Sequence, residues 1–162
     1  MERASMTRKI DKTAAPTKHG TGYPPPFDAP CKHRQRWKLG DAAGLTQFGV
    51  NLMRLPAGQW SSQRHWHGRE DEFVWILEGE VWLVTDEGEE KLVPGDCAGF
   101  PAGTPNGHHL QNRSDQEAVL LEVGTRAPHE DFGDYPDIDM KFDPEGFKHK
   151  DGTPYGTAKR LS

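Results

Sequence analysis

The sequence predicts an all-β domain, an antiparallel sandwich or barrel, and three observations carry that prediction. Between Gly44 and Val123, short apolar runs alternate with breaks bearing Pro and Gly, the spacing of strands joined by tight turns. No segment reads as a long amphipathic helix. Hydrophobic residues make up 33% of the 162, while 18 Gly and 13 Pro supply turns and extended tails. A chain of this length suits one core, because two would each sit near the lower limit of self-sufficient burial.

Residues 1–38 come first, polar and punctuated by Pro16, Pro24, Pro25, Pro26 and Pro30. Lacking sustained periodicity, they are expected to form an irregular arm without regular structure, ordered only by packing on something else. Residues 39–125 form the expected barrel, through TQFGVNLMRL, the PAG break, EFVWILEGEVWLVTD, the EGEE turn, KLVPGD, CAGFPAG and AVLLEV. In EFVWILE, alternation turns Val74 and Ile76 inward with Glu72 and leaves Phe73, Trp75 and Leu77 outward. A strand apolar on both faces needs cover on both. A second subunit, the arm, or both could supply it, with Tyr23, Phe27 and Trp37 as candidate anchors. Residues 126–162 form a polar C-terminal extension in which YPDIDMKF is the stretch able to add one edge strand. There is no internal repeat of useful length.

Net charge is −5, but it is unevenly spread. Residues 1–38 hold nine Lys/Arg against three Asp/Glu, so the remainder carries −11. A basic arm raises the question of nucleic acid, yet no helix-turn-helix or finger spacing is present, so the expected disposition is an arm lying on an acidic barrel and no nucleic-acid partner. The start, MERASMTRKIDKTAAP, lacks an apolar core of signal-peptide length, and no later stretch approaches a membrane span. With only Cys31 and Cys97, a disulfide framework is excluded and a soluble protein of the reducing cytoplasm is expected.

The chemistry concentrates in GQWSSQRHWHGREDEFVWILEG, residues 58–79. Residues two apart on a strand share a face, so His65 and His67 can converge on a single ion. Four residues of turn then bring Glu72 back on the neighbouring strand. Two neutral nitrogens and one anionic oxygen suit a borderline divalent metal such as Fe, Mn, Zn or Ni. If Ser61 and Gln63 share that face, Gln63 points into the cavity and its amide can hydrogen-bond a substrate or a metal-bound water, or else support a ligand from behind.

Gly58, His65, His67, Glu72 and Gly79 together resemble the first motif of the cupin superfamily. GDCAGFPAGTPNGHHLQNRSD resembles the second, through Gly95, Asp96, Pro101, Gly103, a histidine and Asn112. The resemblance spans Phe48 to Val123 and implies a double-stranded β-helix, or jelly-roll barrel, holding one divalent metal ion. Glu70 and Asp71 lie outside the motif spacing and read as turn residues with solvated carboxylates. One departure concerns the fourth ligand: the family's histidine follows the glycine of P-x-G by three residues, where this chain has Asn106. Either that histidine is lost, leaving three protein ligands, or the turn is lengthened through Asn106 and Gly107 and His108 takes the ligand position, the reading that the closing Asn112 turn favours. In that register Leu110 and Asn112 face inward, while His109, Gln111 and Arg113 face solvent.

Small cupins of this kind include some labelled as sugar-phosphate isomerases, and cupins commonly form dimers. The resemblance therefore implies a metal-dependent enzyme acting on a small oxygen-rich molecule, with Glu72 and Gln63 as candidate catalytic residues, in a homodimer. The alternatives are a dioxygenase or lyase, and a non-catalytic binding or sensing module.

Overall fold

Alternation along Glu72–Glu78 sets the inner face of the molecule. In the computed structural model, which describes residues 9–156, Val74 and Ile76 are 9% and 0% exposed while Trp75 and Leu77 are 46% and 44% exposed. Ile76 stands beside Leu120, which stands beside Met53, and all three are fully buried. Each such side chain stabilises the fold by about 1.5–3 kcal/mol.

The strands in chain order are β1 (Thr17–His19), β2 (Gln35–Lys38), β3 (Phe48–Leu55), β4 (Trp66–His67), β5 (Glu72–Glu78), β6 (Val81–Thr85) and β7 (Gly88–Leu92). They continue with β8 (Cys97–Phe100), β9 (His109–Gln111), β10 (Ala118–Thr125), β11 (Gly133–Tyr135), β12 (Met140–Asp143) and β13 (Gly146–Lys148). A single helical turn, Leu39–Ala42, separates β2 from β3. Three sheets result, in the orders β1-β2-β3-β10-β5-β8, β13-β12-β11-β4 and β7-β6-β9. The pairings are antiparallel, as the sequence predicts for this fold class.

The large sheet packs its inner face on β6, β7 and β9, enclosing Met53, Leu55, Val74, Ile76, Val81, Leu92, Leu110, Ala118 and Leu120. Gly79 turns the chain from β5 to β6 at φ +74°, where a Cβ would stand 2.7 Å from the Glu117 carbonyl oxygen. Only glycine satisfies both demands. Among the described residues no helix is long and apolar enough to cross a membrane.

Two expectations are corrected. The arm is not without regular structure: β1 and β2 extend the large sheet, with Trp37 paired to Leu52. Its Arg34, Arg36 and Lys38 alternate toward a polar cavity, so these residues carry a period of two in charge rather than in hydrophobicity. The extension, in turn, forms three strands rather than one. Each is three or four residues long, too short for a periodic signal, and Pro136–Asp139 of the stretch expected to be a strand forms a turn. Arm and extension share a second core of Tyr23, Cys31, Tyr135, Met140, Phe142 and Phe147, with Phe27 packed against it. Tyr23 and Phe27 are thus spent on the extension, and Trp75 and Leu77 stay uncovered by them. The outermost parts of the arm and extension, 1–8 and 157–162, lie outside the described residues.

Candidate metal centre

Backbone pairing brings the histidines together before any side chain acts. His65 N–H donates to the His108 carbonyl at 3.2 Å, and His108 N–H donates back to the His65 carbonyl at 2.9 Å. His67 follows in β4, and Glu72 opens β5 after the turn. The side chains then converge: His65 Nε2 lies 3.0 Å from His67 Nε2, His67 Nε2 lies 3.3 Å from Glu72 Oε1, and His65 Nε2 lies 3.6 Å from Glu72 Oε2. His108 Nε2 is 2.6 Å from Glu72 Oε2. Donor atoms sharing one ion at bonds of about 2.1 Å stand about 3 Å apart when those bonds meet at right angles, so His65, His67 and Glu72 fit a divalent metal.

Each ring is held from behind. His65 Nδ1 lies 2.8 Å from the Gln63 carbonyl, which only accepts, so Nδ1 carries the hydrogen and Nε2 presents its lone pair to the site. His67 Nδ1 lies 2.7 Å from Asp131 Oδ2, with the same consequence. His108 stacks flat on Phe100, ring centroids 3.6 Å apart. Asp131 is fully buried, and its Oδ1 accepts from Arg69 N–H at 3.0 Å. Beside it Glu70 Oε1 accepts from Ala127 N–H at 2.9 Å, and Oε2 approaches His67 Nδ1 at 3.7 Å. His67, Glu70 and Asp131 also stand close enough to share an ion, but Asp131 is hydrogen-bonded to His67 and holds its ring, while Glu70 is tied to the Ala127 backbone.

The metal-free electrostatics follow from this packing. Burial drives the His65 imidazole down to about 4, despite Glu72 beside it. Burial also opposes charge on His67, but Glu72 and the hydrogen bond to Asp131 outweigh it and push His67 up to about 9. Burial disfavours the Glu72 carboxylate, yet His67, His65 and the His108 hydrogen bond hold it well below the usual carboxylate range. A proton on His67 Nε2, facing His65 Nε2 and Glu72, therefore occupies the place where an ion's charge belongs.

These groups line one cavity of about 540 Å³. Gln63 is not among its lining residues. Its amide does not enter the cavity, because residues 61–64 form a bend, not a strand, and it donates to the Phe27 carbonyl of the arm at 2.9 Å; Gln63 supports His65 from behind through its backbone carbonyl instead. His109 is likewise not solvent-facing: it is 4% exposed, sits edge-on to Trp60, and has Nδ1 2.9 Å from the Ser62 carbonyl. Glu70 is inside rather than solvated, its side chain 13% exposed. Leu110 and Asn112 are buried and Arg113 is exposed, as the register predicts. Asn112 closes its turn, donating to the Leu55 and Gln116 carbonyls and accepting from Ser114. Asp131 escaped sequence reading because it is one carboxylate among many in a polar tail, 64 residues from its partner.

The family profile of the Cupin domain matches residues 51–124. Over 95% of this chain and 100% of the other, the structure superposes with a TM-score of 0.85 and 47% identity on a cupin-superfamily sugar phosphate isomerase from Silicibacter pomeroyi. This chain is a cupin. A second cupin-like neighbour, a protein provisionally labelled a sugar phosphate isomerase from Acidithiobacillus ferrooxidans, has 30% identity over 72% of this chain and 74% of the other, with a TM-score of 0.66. The Thermotoga maritima protein labelled on prediction as an oxalate decarboxylase, at 17% identity and a TM-score of 0.60 over 74% of this chain and 100% of that one, shares the fold. No curated protein sequence matches. The double-stranded β-helix of this cupin is extended at one edge of its large sheet by the arm and at β4 by the three strands of the C-terminal extension.

Proposed function

We propose that this cupin is a metal-dependent enzyme that acts on a small oxygen-rich molecule, with isomerase chemistry of the kind named for its 47%-identical neighbour. The observation that carries the reading is the convergence of His65, His67 and Glu72 at one end of a cavity of about 540 Å³, a volume suited to a sugar-sized ligand. His65, His67, Glu72 and His108 would hold one divalent ion, Fe, Mn, Zn or Ni. Such an ion, when bound, would polarise the carbonyl and neighbouring hydroxyl oxygens of a substrate and ease loss of a proton from the hydroxyl-bearing carbon beside the carbonyl.

The chain's own part is positioning. Gln63 and Asp131 fix the two imidazoles through a carbonyl and a carboxylate, and Phe100 fixes the third ring. Glu72 supplies the anionic donor. Three neutral imidazoles and one carboxylate would leave a divalent ion net positive, ready to accept anionic oxygens.

Metal analysis of untagged protein, followed by a turnover screen with the recovered metal across sugar phosphates, hydroxy acids and catechols, tests the reading. One ion per chain and aldose–ketose interconversion of a sugar phosphate are expected. Protein that binds no divalent ion would overturn it, and oxygen consumption with a catechol would move it to the dioxygenases.

A further inference from the structure

One wall of the cavity is built by the arm, outside the residues matched by the Cupin domain profile. Strand register places Lys18 beside Arg36, and Lys38 beside Asn51, which stands beside Glu122. Arg34, Arg36 and Lys38 alternate onto the same side, and all of them line the cavity with Lys18.

Some of this charge is already answered. Arg36 Nε lies 2.9 Å from Glu122 Oε2, and Asp41 takes Arg126 at 2.5 Å with Lys38 at 4.0 Å. Lys18 and Arg34 are not answered. Among the described residues neither has a carboxylate within ion-pairing distance; the buried Arg34 guanidinium donates to the Gly20 and Ser61 carbonyls. Burial, then Lys38, Arg36 and Arg34, lower the Lys18 ammonium to about 8. Holding these cations together out of water opposes folding, and an anion placed among them relieves both the repulsion and the desolvation. Asn51 Oδ1 is a further buried polar atom without a partner in the same wall, an acceptor suited to a ligand hydroxyl.

We propose that the arm forms an anion subsite in which Lys18 and Arg34 receive the phosphate of a small phosphorylated polyol whose opposite end reaches His65, His67 and Glu72. The inference rests on reading this cavity as a substrate site and specifies the substrate's class. Two unanswered positive charges match a phosphate monoester, which carries about −1.5 to −2 near neutral pH. The spacing also agrees. β2 stands three strand intervals from β5, and β1, which carries Lys18, stands four, about 14 and about 19 Å along the sheet, and long Lys and Arg side chains reach back across part of that span.

Inorganic phosphate is the probe, titrated calorimetrically into the full chain as purified and again after chelation, with acetate as comparator. Saturable one-to-one binding is expected in both preparations, weakened at least about tenfold in Lys18→Met and unchanged in Lys91→Met, whose exposed ammonium pairs with Glu80. Retained thermal stability of Lys18→Met confirms that the loss is local. Equal phosphate affinity in wild type and Lys18→Met, no saturable binding in wild type, or acetate binding as tightly as phosphate would each overturn the subsite. Metal uptake measured on the same proteins keeps the two readings apart. Phosphate binding that depends on Lys18 in a protein that takes up no ion leaves the subsite standing and removes the metal enzyme, whereas one ion per chain without phosphate binding does the reverse.

Discussion

His67 and Asp131 are joined by a 2.7 Å hydrogen bond between Nδ1 and a fully buried carboxylate oxygen, across 64 residues of sequence. Once the Nε2 proton has left, the bond fixes one tautomer, with the hydrogen on Nδ1 and the lone pair of Nε2 turned to His65 and Glu72. Asp131→Asn removes the charge and keeps the shape. It is expected to weaken divalent-metal affinity by about ten- to a hundredfold, measured by competition with a chromophoric chelator. Nitrogen chemical shifts of His67 recorded above about pH 9, where the ring is neutral, should show mixed tautomers in the variant, and unchanged shifts together with unchanged affinity would refute the role.

Metal affinity should rise with pH through neutrality. The metal-free His67 is pushed up to about 9, so below that pH an incoming ion must displace a proton from Nε2, and apparent affinity falls about tenfold per pH unit. His65, driven down to about 4, adds no competition until strongly acidic pH. From the residue types alone, weakening would start only below about pH 6.5. Calorimetry at pH 6, 7 and 8 in buffers of different ionisation enthalpy should report about one proton released per ion bound. Flat affinity between pH 6.5 and 8.5 would mean that His67 is already neutral there.

The adjacent histidines should separate into two kinds of loss. His108 faces Glu72 at 2.6 Å, so His108→Ala is expected to reduce metal affinity by at least about tenfold. His109 is buried against Trp60 and bonded to the Ser62 carbonyl, so His109→Ala should lower stability by about 1–3 kcal/mol and leave metal binding near wild type. Denaturant titration and metal titration of both variants check the division. Full metal affinity in His108→Ala would leave a site of His65, His67 and Glu72 alone.

What could be read from the sequence was whatever repeats at short range. His65, His67 and Glu72 lie within eight residues, and EFVWILE announces its inner face by simple alternation. The arm hid its strands because RQRWK, residues 34–38, faces a charged cavity, and alternation of charge resembles a solvated tail. The excess positive charge of residues 1–38 was the available signal, and the Arg36–Glu122 pair shows where part of it goes. Gln63 misled through an assumed strand: four bent residues interrupt the alternation just ahead of His65. Asp131 and Glu70 could not be ranked among the chain's carboxylates, because what singles them out is burial.

The outer face of the large sheet should be covered by a second copy of the chain. Register aligns Trp37, Leu52, Leu121, Trp75 and Cys97 in one row across five strands, with Leu77 and Phe48 exposed at 44% and 42% on the same sheet. A contiguous apolar row of this width is unusual on a monomer, and the arm, whose Tyr23 and Phe27 pack on the extension, does not shield it. A twofold axis would bury this face against the same face of a second copy, closing the contact as a homodimer rather than an open array. Because β1 and β2 belong to the sheet, truncating the arm would disrupt the fold as well as any interface, so substitution is the cleaner test. Trp75→Lys places a charge within the row without touching the inner core. Sedimentation is expected to find a dimer for the wild type at tens of micromolar and a monomer for Trp75→Lys with near-native thermal stability. A wild-type chain that stays monomeric under those conditions would sink the prediction.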